Sequence, residues 1–138
     1  MRPTSALLAA LLVIFDNALT TQSRFILLDA PLVFFVAASL CSWVYFCQLD
    51  ARNAFSRRWW AMLALTGVCL GLGLSCKWVG LFTMASVAMA VAVQMWYHLG
   101  NLRLPVQTVA RHVGARAVCL GVVPLVVYML TFAVHFKV

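Results

Sequence analysis

Five long apolar stretches, separated by polar connections, organise the chain. They cover residues 5–23, 28–47, 60–76, 78–98 and 116–136, and about 20 apolar residues are enough for one helical crossing of a bilayer. The stretches are too long and too evenly apolar for the alternating strands of a membrane barrel. Because lipid offers no hydrogen-bond partners to an open backbone, helices are required. The pattern predicts an all-α, polytopic membrane helix bundle of about five transmembrane helices, forming a single domain over residues 1–138.

Basic residues predict how these helices are threaded through the membrane. Long polar connections follow the second and fourth stretches, whereas the hairpins after the first and third are very short. When the five crossings alternate, seven arginines fall on one side: Arg2, Arg52, Arg57, Arg58, Arg103, Arg111 and Arg116. Cytoplasmic loops carry an excess of Lys and Arg. This side is therefore predicted to be cytoplasmic, and the N-terminus lies on it.

Aromatic residues agree with this orientation. Trp59 and Trp60 begin the third stretch, and Trp96 and Tyr97 end the fourth, all on the side of the seven arginines. Trp and Tyr are enriched at membrane–water interfaces. We therefore expect these four side chains to act as interfacial anchors on the cytoplasmic side.

The composition excludes a water-soluble protein. The chain is 65% hydrophobic and 9% charged, whereas soluble domains average roughly 45–50% apolar and about 25% charged residues. A soluble fold of this size could not hide so much apolar surface. The net charge of +7 is explained by membrane orientation, so it predicts contact with membrane lipid and does not call for a nucleic-acid partner.

Nothing in the sequence predicts a metal site. The five cysteines lie within apolar stretches without a C-x-x-C spacing, and the three histidines are scattered along the chain. There is no H-E-x-x-H motif and no pair of neighbouring carboxylates. The cysteines are best interpreted as small buried apolar side chains.

Two cations occupy the short outer hairpins, where the orientation rule would not place them. Arg24 lies in the first hairpin and Lys77 in the second. One interpretation is that each is a long side chain that snorkels to the lipid headgroups. The alternative is that Arg24 and Lys77 share a pocket on the outer face that binds an anionic group, most simply a lipid phosphate, for which a guanidinium is well suited.

Acidic residues accompany these cations. Asp16 lies about two helical turns before Arg24, and Asp29 opens the next predicted helix, where a carboxylate favours the helix dipole. Asp16 could be a satisfied polar group in the bundle interior and Asp29 a helix cap, or both could support the outer pocket.

Further along, Gly67, Gly71 and Ser75 recur every four residues, a spacing that lets two membrane helices approach closely.

Two blocks carry a resemblance to a known family. The segments "DNALTTQSRFILLD" and "LTGVCLGLGLSCKWVGLFT", in this order and at this spacing, resemble the protein O-mannosyltransferase family. The resemblance continues to the final "PLVVYMLTFAVHF" helix. It implies a GT-C membrane architecture with a lumenal active site in the endoplasmic reticulum. Such enzymes transfer mannose from dolichyl phosphate mannose to Ser or Thr hydroxyls of secretory proteins, with inversion at the sugar carbon and without a cofactor.

The resemblance also implies what this chain lacks. It matches an internal portion of such an enzyme, roughly its third to seventh crossings, whereas the family's catalytic Asp-Glu pair lies in a lumenal loop upstream. The 138 residues contain no glutamate. We therefore assign no catalytic residue to this chain and expect it to be inactive alone. Family enzymes work as dimers, which implies a paralogous partner.

Some residues match the family pattern individually. Arg24 matches the arginine of the "QSR" block, which implies that it binds the lipid-linked phosphate. Lys77 is a weaker match in the same role, and Gln22, Asp29 and Asp16 are expected to support that corner.

Two other functions fit the residues without the resemblance. In a transporter or channel fragment, intramembrane Asp16 and Arg24 would line an ion or substrate path, although the stretches show neither internal repetition nor paired Gly/Pro breaks. In a non-catalytic membrane assembly subunit, the small residues Gly67, Gly71 and Ser75 would form an oligomer interface.

Overall fold

The computed structural model describes residues 3–15, 29–100 and 105–137, and these are almost entirely helical. The helices are α1 (Pro3–Ile14), α2 (Asp29–Arg52), α3 (Arg57–Cys76), α4 (Gly80–Gly100), α5 (Val106–Ala117) and α6 (Val123–Lys137), with a π-helical turn (Val118–Val122) joining α5 to α6. No strand occurs within the described ranges.

The predicted fold class is confirmed. Four helical runs are long and apolar enough to cross a membrane in the described parts of the chain: Asp29–Arg52, Arg57–Cys76, Gly80–Gly100 and Val106–Phe136. The first predicted helix, 5–23, is only partly described, because α1 covers Pro3–Ile14 and residues 16–28 lie outside the described ranges. The protein is thus an all-α membrane bundle.

The connection between the fourth and fifth crossings is shorter than predicted. The segment 99–115 was expected to be a polar connection, but α5 already begins at Val106 and runs through the π-turn into α6. The resulting run of 31 residues is longer than one crossing needs, which is about 20 residues. Polar side chains do not interrupt the helix, because His112 and Arg116 are buried against α2, α3 and α4 rather than solvated.

Other helix ends also extend past the apolar stretches. Helix α2 continues to Arg52 rather than ending at residue 47, and α3 begins at Arg57 rather than at residue 60. The hydroxyl of Ser56 caps α3 by accepting a hydrogen bond from the backbone N–H of Trp59 at 3.2 Å. Hydropathy marks where lipid ends, whereas capping marks where a helix ends.

Aromatic side chains form the core at the end of the bundle where α2 leads into α3, here called the Arg116 end. The rings of Trp43 and Phe46 stack at 5.2 Å, and Phe46 contacts Trp59 at 5.1 Å between ring centroids. The interfacial-anchor prediction is therefore wrong for Trp59, which is fully buried, whereas Trp96 and Tyr97 are 78% and 75% exposed. Tertiary packing against α2 draws Trp59 inward.

Small residues bring α3 and α6 into close contact. A Cβ atom at Gly71 would lie 2.8 Å from Cβ of Val127 and 2.9 Å from the carbonyl oxygen of Pro124. Gly67 likewise lies directly against the carbonyl of Cys119, in the π-turn. The prediction that these residues permit close helix packing is confirmed, and the partner is α6 with the turn before it.

Candidate functional site

The end of the bundle where α3 leads into α4, here called the Lys77 end, is built on a tight turn. Helix α3 stops at Cys76 because Lys77 adopts an extended backbone, with φ −159° and ψ 140°. The chain turns at once into α4, since the backbone N–H of Gly80 donates to the carbonyl of Lys77 at 2.9 Å. A Cβ atom at Gly80 would lie 2.8 Å from the backbone carbon of Gly73. Glycine is therefore needed for α4 to start so close to α3.

Lys77 forms an ion pair with Asp29. Its Nζ donates to Oδ1 of Asp29 at 2.9 Å, and the two side chains are 52% and 28% exposed. Asp29 is the first residue of α2, so its carboxylate also faces the positive end of that helix dipole. An exposed pair of this kind contributes only about 0–1 kcal/mol to stability. Its main effect is to fix where the ammonium group lies.

A cavity of about 480 Å³ opens beside Lys77. Residues 74–78 form one wall, and residues of α6 at positions i, i+3, i+4 and i+7 form the other. The lining side chains are Leu74, Ser75, Cys76, Lys77, Trp78, Tyr128, Thr131, Phe132 and His135.

A hydrogen bond between hydroxyls joins the two walls of this cavity. Oγ of Ser75 and Oγ1 of Thr131 lie 3.0 Å apart. Each hydroxyl also lies within hydrogen-bond distance of a carbonyl in its own helix, Ser75 of Gly71 at 2.8 Å and Thr131 of Tyr128 at 2.7 Å. Because each hydroxyl carries one proton, one of the two donates to the other and the second donates to its own helix carbonyl. Gly71 and Ser75 thus hold α6 at a fixed depth against α3, which sets the width of the cavity.

The residues predicted for the outer site are brought together only in part. Lys77 and Asp29 are in direct contact, as a shared site requires. Arg24, Gln22 and Asp16 lie outside the described residues, so their part in the site stays a prediction. Ser75, Thr131 and His135 were not predicted to belong to it, although the four-residue spacing of Gly67, Gly71 and Ser75 marks the face where α6 packs.

A buried ion pair at the Arg116 end was missed by sequence reasoning. Nη2 of Arg116 donates to Oδ2 of Asp50 at 2.8 Å, and the side chains are 2% and 11% exposed. Nη2 also donates to Oε1 of Gln94 at 3.3 Å, and Nη1 lies 3.2 Å from Nδ1 of His112. The pair therefore links α2, α4 and α5.

Aromatic groups complete this cluster. The indole Nε1 of Trp59 donates to Oδ1 of Asp50 at 2.7 Å. The rings of His98 and His112 stack at 5.1 Å, with 13° between their planes. We call Asp50, Trp59, Gln94, His112 and Arg116 the Asp50–Arg116 cluster. Sequence could have signalled it only through Asp50, an isolated carboxylate close to several arginines, because its partner lies 66 residues away.

Neither end holds a metal-binding arrangement in the described part of the chain, where no group of three or more His, Cys, Asp or Glu side chains is suitably placed. The Lys77 end instead offers an ammonium group, an imidazole and hydroxyls around one cavity. Groups of this kind donate hydrogen bonds to oxyanions. The site at the Lys77 end is therefore suited to bind an anion.

Known proteins resemble this chain along its whole length. The family model for dolichyl-phosphate-mannose-protein mannosyltransferase matches residues 1–138. Dolichyl-phosphate-mannose–protein mannosyltransferase 1 of Candida albicans is 40% identical over 137 residues, which is 99% of this chain and 15% of that protein. Protein O-mannosyl-transferase 2 of Danio rerio is 42% identical over 135 residues, covering 98% of this chain and 18% of that protein.

A solved structure is similar as well. The S. cerevisiae protein O-mannosyltransferase Pmt1–Pmt2 complex bound to the sugar donor superimposes with a TM-score of 0.77 and 36% identity, over 83% of this chain and 15% of the matched chain. The chain thus spans less than a fifth of the length of these relatives. It belongs to the dolichyl-phosphate-mannose-protein mannosyltransferase family.

Proposed function

We propose that this chain is the lipid-phosphate-binding part of a mannosyltransferase that transfers mannose from dolichyl phosphate mannose to Ser and Thr hydroxyls of secretory proteins. Family membership supports the reaction, and the similar yeast complex is bound to the sugar donor. The observation that carries the proposal is the position of Lys77, which lines a cavity of about 480 Å³ at one end of the membrane bundle.

Lys77 and Arg24 would act on the phosphate of the donor. When the acceptor hydroxyl attacks the sugar carbon, the bond from that carbon to the phosphate oxygen breaks, and the electron pair stays on dolichyl phosphate. The departing phosphate gains negative charge, which fixed cations stabilise most in the transition state. Asp29 positions the Lys77 ammonium through its 2.9 Å contact, and Gln22 and Asp16 are proposed to support Arg24.

This chain would not supply the base for the reaction. A general base must reach the proton of the acceptor hydroxyl within hydrogen-bond distance. Asp29 is paired with Lys77. Asp50 is paired with Arg116, and both side chains of this second pair are nearly inaccessible to solvent. Neither carboxylate is therefore assigned to proton transfer. We propose that the family's Asp-Glu pair belongs to a loop outside these residues, and we therefore expect the 138 residues alone to be inactive.

The proposed orientation places the Lys77 end in the lumen of the endoplasmic reticulum. Seven arginines belong to the opposite side in the predicted threading, and excess basic residues favour the cytoplasm. The N-terminus would then be cytoplasmic, and a lumenal Lys77 would meet secretory polypeptides. The similar yeast protein is a complex of Pmt1 with Pmt2, which supports a dimer with a paralogue as the working form.

Transfer of radiolabelled mannose by the intact protein that carries this chain tests the proposal. Arg24→Ala and Lys77→Gln should each lower transfer at least ten-fold, because each removes a charge-assisted contact worth about 1.5–3 kcal/mol. Lys77→Arg, which keeps the positive charge, should retain more activity than Lys77→Gln. Arg58→Gln, at an exposed position of the other end, is the matched control.

Full transfer by the Arg24→Ala and Lys77→Gln proteins would overturn this assignment. Absence of mannosyl transfer by the intact protein, with ion flux or substrate transport in its place, would favour the transporter alternative. Absence of both, with stable association to a second membrane protein, would favour the assembly subunit.

A further inference from the structure

The last described turns of α6 present one face, with polar and aromatic side chains, to the cavity beside Lys77. Tyr128, Thr131, Phe132 and His135 follow one another at the three- and four-residue intervals that align side chains on a helix, and all four line this cavity. His135 is the member furthest along the helix and lies one turn beyond Thr131. Thr131 lies 3.0 Å from Ser75, and the residues that follow this contact on each side, Lys77 and His135, line the same cavity.

The polar groups of this cavity suit an anion. Lys77 contributes an ammonium, His135 an imidazole, and Ser75, Thr131 and Tyr128 contribute hydroxyls. None of the described residues that line it is a carboxylate, and the nearby Asp29 carboxylate contacts Lys77. A neutral imidazole donates one N–H and a protonated one donates two. His135 can therefore donate to an oxyanion in either protonation state.

We propose that His135 is a second phosphate-contacting residue, which donates a hydrogen bond to the same phosphate group as Lys77 from the opposite wall of the cavity. The inference rests on the proposed function, because it assumes that this cavity receives a phosphate group. It adds a binding residue from α6 to a site that sequence reasoning confined to the two outer hairpins. The ligand class is a polyprenyl phosphate, whose headgroup chemistry is shared by free phosphate.

The Gly67–Gly71–Ser75 face explains why α6 can supply this residue. With no side chain at Gly71, the backbone of Pro124 comes within van der Waals distance of α3. The hydroxyl contact of Ser75 with Thr131 then sets the register between the helices. Close packing at these positions fixes how the backbone of α6 lies against α3. A fixed arrangement of the two helices lowers the entropy that donors on both walls lose when they bind one phosphate.

Binding of two probes that differ only in the phosphate group tests the proposal. The intact protein in lipid nanodiscs is titrated with a short-chain polyprenyl phosphate and with the matching uncharged polyprenol. His135→Ala and His135→Phe should each weaken polyprenyl phosphate binding about ten-fold, the usual effect of losing one hydrogen bond to a charged group. Both should leave polyprenol binding unchanged. Phe136→Ala, on the same helix but outside the cavity lining, should change neither.

The phenylalanine variant guards against a folding artefact, since it keeps a ring of similar size and removes only the N–H donors. Lys77→Gln is measured alongside. If Lys77→Gln lowers phosphate affinity and both His135 variants do not, the inference about His135 is wrong and the proposed function stands. If the unaltered protein does not prefer polyprenyl phosphate over polyprenol, the proposed function fails first. Competition by inorganic phosphate at millimolar concentration would show that the cavity recognises the phosphate headgroup alone. Lack of competition would show that the polyprenyl chain of the ligand is also needed for binding.

Discussion

Arg116 lies 2.8 Å from Asp50, and the two side chains are 2% and 11% exposed. Charges so thoroughly removed from water are costly unless they are paired and hydrogen-bonded. Asp50 accepts a further bond from Trp59 at 2.7 Å, and Arg116 donates to Gln94. The pair connects the C-terminal end of α2 to α5. Because α5 continues through the π-helical turn into α6, the pair also fixes the position of the start of α6.

Loss of the Arg116 side chain should destabilise the bundle strongly. Arg116→Met leaves the Asp50 carboxylate buried without its cation, and the expected cost is about 3–5 kcal/mol of unfolding free energy. Unfolding by SDS in mixed micelles, followed by tryptophan fluorescence, measures it. Arg58→Met is the matched control, because Arg58 is exposed and surface changes usually stay within about 0.5 kcal/mol.

The double variant Asp50→Asn with Arg116→Met should lose less stability than the two single variants added together. Residues in direct contact couple by roughly 0.5–3 kcal/mol, and the double change leaves no buried charge behind. Additive losses in the same SDS unfolding experiment would show that Asp50 and Arg116 act independently.

A second prediction concerns the indole hydrogen bond to Asp50. Trp59→Phe keeps most of the buried ring and removes the Nε1–H donor, so the cost should be about 1.5–3 kcal/mol, as for other hydrogen bonds to charged groups. Trp60→Phe should cost much less, since Trp60 is 43% exposed. Equal losses for the two variants in thermal unfolding would contradict a role for the Trp59 indole N–H.

A third prediction tests the close approach of α3 and α6. Gly71→Ala places a Cβ atom within 3 Å of Val127 and the backbone of Pro124, and overpacking of this kind costs about 1–3 kcal/mol. Gly114→Ala is the same substitution in α5, where nothing lies within 4 Å. It should be neutral or stabilising by up to about 1 kcal/mol. Comparison of the two unfolding free energies decides whether crowding, rather than loss of glycine, is responsible.

A fourth prediction separates charge from positioning at Asp29. Asn at this position carries no charge but can still accept a hydrogen bond from Lys77. Ala carries no charge and cannot accept this hydrogen bond. We expect Asp29→Asn to bind a short-chain polyprenyl phosphate more tightly than Asp29→Ala, because only the former keeps the ammonium in place. Unfolding free energies should differ by no more than about 1 kcal/mol, as for exposed ion pairs. Equal phosphate affinities would mean that Asp29 does not position Lys77.

The sequence by itself determined the membrane fold, because the length and even hydropathy of each stretch dictate a helix wherever lipid surrounds the backbone. It also marked Lys77 as unusual, since a cation in a short outer hairpin departs from the distribution of the other basic residues. The face formed by Gly67, Gly71 and Ser75 was visible from its four-residue spacing, although its partner α6 was not.

Only the tertiary structure decided which distant side chains meet. Asp50 and Arg116 are 66 residues apart in the chain. From the sequence, Arg116 is one of several basic residues near a membrane surface, whereas in the structure it lies on α5 and is buried in the bundle. Lys77 meets Asp29, and His135 joins their cavity, because α3 packs against both α2 and α6. Hydropathy describes the preference of each residue, taken alone, for water or for an apolar environment. Contacts between distant side chains depend instead on the register and depth at which the helices pack.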